Sequence, residues 1–232
     1  MPPVTLDSTV QRAYQRMAAD LRRVFGARFV ALVAGPAGAS AVAFADAIHA
    51  GDLDALAPLA DRWAHDRLSA PLLVTPAEFR RSLDVFAAEY QALIDHHVVI
   101  DGTDPFEAAT VNLDDLRRAC EGQARGHLIH LRQGWIEHGG HAGGVTHVIE
   151  HSAAPLRQIL SNLSRLDGEA AKDDAALASF AARRIGMPED LISAVLSLDA
   201  TPHRARTLAP RLPEYLAACE QLWSFSDAWR AR

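Results

Sequence analysis

The sequence predicts an α+β fold, with a small sheet and its helices over residues 1–110 and an all-helical bundle over 111–232. Three observations predict it. Short apolar runs flank a glycine-rich turn early in the chain. Long stretches with apolar residues at helical spacing fill the second half. No strand signal appears after about residue 101.

The elements follow in order. Ser8 and Gln11 form a capping-box pattern, and Val10, Tyr14, Met17, Leu21 and Val24 then recur at helical spacing up to Gly26, a C-terminal cap. Arg28 to Ala34 and Ser40 to Ile48 read as buried strands on either side of Gly35-Pro36-Ala37-Gly38-Ala39. Asp52 or Asp54 caps a helix reaching about Arg67, and Pro71 to Thr75 is a third strand. Thr75-Pro76 with Glu78 opens another helix. Phe86 to Ile100 is ambiguous between helix and strand. Asn112 caps a long helix to about His138, ended by Gly139-Gly140, and a second runs from about Val145 to Leu166. Shorter helices cover 171–185, 189–198 and 211–229, punctuated by Pro188, Pro202, Pro210 and Pro213.

Composition narrows the function classes. The chain has 232 residues, 49% of them hydrophobic and 22% charged, with a formal charge of −6. Such a balance argues against nucleic acid, because phosphate binding wants a basic surface. Cys120 and Cys219 lie far apart without a CxxC context, as expected of thiols in a reducing compartment. The start Met1-Pro2-Pro3 lacks the basic and apolar regions of a signal peptide. The run Phe29 to Ala45 is too short for a membrane span and is broken at Gly35-Pro36. A cytoplasmic protein is expected, with a small molecule or a protein as partner and room for a homo-oligomer, but no membrane.

The order helix, strand, glycine turn, strand, helix, strand resembles the nucleotidyltransferase superfamily of the minimal and kanamycin-modifying type. Pro71 to Phe86, His97 to Pro105 and the helix Leu116 to Gln133 are similar to segments of bacterial nucleotidyltransferase-domain proteins. In the last of these, Leu116-Arg117, Cys120-Glu121, Arg125-Gly126 and Leu131-Arg132 carry the likeness. The resemblance implies a mixed sheet and a chemistry with three requirements. A Gly-Ser after the first strand lets amides and a hydroxyl approach the nucleotide phosphates. An Asp-x-Asp on the second strand holds magnesium. A third carboxylate on a later strand completes the site.

The chain departs from the first two. Gly35 is followed by Pro36, which has neither hydroxyl nor N–H. Asp46 stands alone on the second run, with Ile48 where its partner belongs. Asp52-Leu53-Asp54 is an Asp-x-Asp by letter, but it leads into a helix and reads as its cap. Glu89 is the candidate third carboxylate. The expectation is a non-catalytic relative that binds a small ligand or a partner without a metal cofactor. Its candidate ligand contacts are Gly35, Gly38, Ser40, Asp46, Glu89, Arg125 and Arg132. The two arginines are placed two turns apart on one helix face, where they could reach an anion in a cleft between the halves. Pairing with carboxylates such as Glu121 is the plainer role. The first alternative is an active magnesium-dependent nucleotidyltransferase with rearranged acids.

A second alternative lies in His147-Val148-Ile149-Glu150-His151, which fits the HxxEH pattern of inverted zinc peptidases. On a helix the two histidines share a face, and Glu150 could activate water. A third zinc ligand would have to come from elsewhere, with Glu214 and Glu220 available. Eleven histidines in the chain also make such a pair unexceptional. His127, His130, His138 and His141 could line a pocket or coat a helix.

Overall fold

The computed structural model describes residues 6–35, 40–138, 141–199, 201 and 204–230. The chain divides into two compact units, Met1–Val111 and Asn112–Arg232. The fold is α+β, with a four-stranded mixed sheet in the first unit and helices throughout the second. No described helix is long and apolar enough to cross a membrane.

The first unit begins with α1 (Ser8–Phe25), whose cap is Asp7 accepting from the Thr9 amide, not the Ser8–Gln11 box. Gly26 ends it at φ +57, as its position predicts. Strand β1 (Phe29–Ala34) pairs antiparallel with β2 (Ala41–Ala45), from Phe29 opposite Ala45 to Ala34 opposite Ala41. Helices α2 (Ala50–Leu56) and α3 (Ala60–His65) lead to β3 (Leu72–Val74), which lies parallel to β2. After α4 (Pro76–Arg81) and α5 (Ala87–Asp95), β4 (Val98–Gly102) pairs antiparallel with β1. The sheet order is β3-β2-β1-β4.

Both faces of β1 and β2 are covered, which is why neither shows the polar alternation of a half-exposed strand. Leu32, Ala34, Ala43 and Ala45 pack on one face against Tyr14, Met17 and Leu21 of α1. Ala31, Val33, Val42 and Phe44 pack on the other against Phe79, Leu93 and Phe106. There Phe44 meets Phe79 and Phe106 edge-to-face, each at 5.7 Å between ring centroids, a favoured aromatic geometry. Asp20 is buried on α1, held by Arg62 and by Trp63 Nε1 at 3.1 Å.

Two sequence expectations are corrected here, and one ambiguity is resolved. The second strand stops at Ala45, so Asp46 and Ile48 lie beyond it, the Asp46 amide donating to the Arg28 carbonyl at 2.8 Å. The helix expected to reach Arg67 is broken by a 3-10 turn at Ala57–Leu59, where Pro58 has no amide to continue the ladder. The ambiguous Phe86–Ile100 segment is helix and then strand, α5 followed by β4. The Thr75–Glu78 capping box forms as its spacing requires.

The second unit contains α6 (Leu113–Glu137), capped by Asn112, and α7 (Ala142–Leu166). Then come α8 (Asp174–Phe180), a π-helical turn Ala181–Ile185, α9 (Glu189–Leu196), α10 (Ala205–Leu208) and α11 (Leu212–Ala228). Helix α6 packs against both α7 and α11. Leu116, Cys120, Leu128 and Leu131 are buried as their spacing predicts, while Trp135 is only half-buried. Among the described residues no strand follows Gly102.

Candidate functional site

Of the residues expected at a phosphate site in the first unit, Gly35 and Ser40 meet, whereas Ser40 and Asp46 stand apart. Gly35 follows β1, and its amide donates to the Ser40 carbonyl at 2.8 Å. Gly38 and Pro36 lie outside the described residues. Ser40 and Asp46 flank opposite ends of β2, about 20 Å apart along an extended segment. Glu89 is exposed on α5, a helix where a strand carboxylate was expected.

Asp52 is committed elsewhere. Its two carboxylate oxygens each accept from Arg28 at 2.7 Å, and it also accepts from the His49 amide at 2.8 Å. The Arg28 guanidinium, and then that amide, hold its carboxyl well below the usual range. The sequence reading expected Asp52 or Asp54 to be the cap residue itself; the cap is His49, and Asp52, the third helical residue, reaches back to its amide and pairs with Arg28. Asp54 is exposed.

In the second unit, Arg125 and Arg132 both engage α11. The Arg125 guanidinium lies over the Trp223 ring at 5.4 Å from its centroid, and Arg132 pairs with Glu220 at 2.5 Å. Arg117, not either of these, forms the i,i+4 pair with Glu121, at 2.9 Å. The pairing of Arg132 also commits Glu220, which the sequence offered as a distant zinc ligand. Glu214, the other such offer, is engaged by Arg211.

A site emerges where α6 and α7 run side by side. Between them lies a groove of about 970 Å³ lined by Leu131, Val148 and Ile159 and by five histidines, His127, His130, His138, His147 and His151. Close approach of the helices depends on Gly134, because a Cβ there would come within 2.6 Å of the Val148 side chain. Pro155 also lines the groove and sits inside α7. Lacking an N–H, it cannot donate to the carbonyl of His151 four residues earlier.

A buried polar chain supports the groove wall. Ser152 Oγ donates to the Ile149 carbonyl at 2.7 Å and lies 3.1 Å from the Tyr215 hydroxyl. With the Ser152 proton so used, Tyr215 donates to Ser152 and accepts from His127 Nε2 at 2.9 Å. His127 is therefore a neutral imidazole with Nδ1 as its acceptor nitrogen. Burial, with His130 nearby, pushes its pKa down to about 4. The same burial raises Tyr215 and pushes the Cys219 thiol up to about 12, which leaves both protonated and inert near neutrality.

Near this chain, three side chains of α7 gather. One ligand atom each from His147, Glu150 and His151 lies within 4.8 Å of the others. The histidine rings are 3.9 Å apart between centroids. His151 Nδ1 lies 2.9 Å from the His147 carbonyl and donates to it, which leaves Nε2 as the lone-pair nitrogen.

Sequence reasoning singled out the His147–His151 pair and the histidines of α6. It did not find Tyr215 as the shared partner of His127 and Ser152, because residues 88 and 63 positions apart carry no local signal of contact. The chain matches no protein-family model, no curated protein and no solved structure.

Proposed function

We propose that the chain is a non-catalytic binding protein. Its first unit is a nucleotidyltransferase-like module without the metal-binding acids, and the α6/α7 groove of its second unit takes a small ligand. The element order α1, β1, turn, β2, helix, β3 supports the first part, together with the commitment of Asp52 to Arg28. The groove is the observation that carries the second. At about 970 Å³ it falls in the range of small-molecule sites, and it joins apolar walls to a few placed polar groups. The acceptor nitrogen of His127 favours a ligand with an apolar body and a donor group.

The test uses 8-anilinonaphthalene-1-sulfonate, a compact dye with an apolar aromatic body, an N–H donor and a charged sulfonate. Ala154 is exposed on the groove lining, so Ala154→Trp fills space without disturbing the core. The folded protein should bind one dye per chain, and Ala154→Trp should lose that binding at unchanged circular dichroism. Equal binding by both proteins would refute the groove. For the first unit, calorimetry with ATP and magnesium should give no magnesium-dependent heat, and labelled nucleotide should pass to no acceptor. Transfer that Asp46→Asn abolishes would overturn the non-catalytic reading in favour of an active enzyme.

A further inference from the structure

His147, Glu150 and His151 occupy one face of α7 because of helical geometry. At about 100° per residue, His147 falls between the other two, and all three project within an arc of roughly 100°. Their ligand atoms already lie within 4.8 Å of one another. Modest side-chain rotations, mostly of the flexible glutamate, bring them around one ion at about 2.0–2.1 Å from each. Two imidazoles and a carboxylate form a donor set that suits zinc and its first-row neighbours and is poorly matched to magnesium or calcium.

Two further observations separate this trio from chance surface histidines. The His147 carbonyl fixes the tautomer and ring orientation of His151, the support that ligating histidines ordinarily receive from a backbone or carboxylate oxygen. The two histidines also line the groove, at its exposed edge. With three ligands from one helix, further coordination positions stay open.

We propose that His147, Glu150 and His151 form a binding site for one zinc-like divalent ion at the edge of the α6/α7 groove. The site shares that groove with the function proposed above, and its metal affinity stands whether or not an organic ligand binds there.

The experiment is a titration of the chelator-treated full chain with zinc by calorimetry, and with cobalt(II) followed by its visible absorption. One ion per chain is expected, with the cobalt bands of a nitrogen and oxygen site. His147→Ala and His151→Ala should each weaken zinc at least tenfold, and Glu150→Gln several-fold. His65→Ala, an exposed histidine of the first unit, should leave it unchanged. All three ligand positions are at least partly exposed, so these variants should keep the native circular dichroism. Zinc affinity unchanged in any of the three, or absence of a stoichiometric ion, overturns the site. Loss of dye binding with zinc binding intact would sink only the groove reading, and the converse only the metal site.

Discussion

At the scale of single residues, one hydroxyl links three helices of the second unit. Tyr215 is fully buried, and its oxygen joins His127 to Ser152. Buried polar groups are tolerated when each finds a partner, and the cost rises when one partner is removed. Tyr215→Phe keeps the ring and its packing but strands the His127 N–H. It should destabilise the protein by about 1–3 kcal/mol, measured by chemical denaturation. A change indistinguishable from zero would mean that His127 is satisfied in some other way. Arg28 and Asp52 show the same logic at a helix start, where the guanidinium and the His49 amide together occupy both carboxylate oxygens. The type of residue 52 was readable in the sequence, but its partner, 24 positions away, was not.

At the scale of elements, the sheet rests on close backbone contact between β1 and β4. Gly102 faces Ala31 in that ladder at φ +91, and a Cβ there would fall 2.0 Å from the Val30 carbonyl oxygen. Neither the dihedral nor the space admits a side chain. Gly102→Ala should therefore cost at least about 2 kcal/mol, seen as a lower denaturation midpoint. The Gly102-Thr103-Asp104-Pro105 stretch signalled a change of structure in the sequence, but only the strand beside it makes the glycine obligatory. Long helices were the most legible elements, since Asn112 caps α6 as expected and its apolar face is buried. Helix breaks were less so. Pro58 ends α2, whereas Pro155 sits inside α7, and tertiary packing along the whole of α7 decides the difference.

At the scale of the whole molecule, stability should depend on pH through His127. Its folded pKa of about 4 lies below the ordinary histidine value of about 6.5. Between these values the unfolded chain binds a proton that the folded protein does not. Stability contributed by the neutral imidazole is thus full above pH 6.5 and is lost as pH falls toward 4, by about 3 kcal/mol in all. Denaturation in metal-free buffer from pH 7 to 4 should show that loss. His127→Gln, which can still donate to Tyr215, should flatten it. An equally steep fall in the variant would assign the effect to other groups.

The sequence by itself determined the fold class, the first three strands, the two long helices of the second unit, the caps at Thr75 and Asn112, and the absence of paired acids on the second strand. These are properties of local spacing, since periodicity, caps and missing residue types are written within a few positions of one another. Tertiary structure alone decided what those residues do. It put Ser40 and Asp46 at opposite ends of β2, tied Arg125 and Arg132 to α11, and joined His127 to Tyr215. It also set α6 beside α7 closely enough, across Gly134, to make a groove of scattered histidines. The physical reason is that each such contact depends on how helices and strands pack over long sequence separations. Hydrophobic periodicity specifies that a face is buried, but not against which partner.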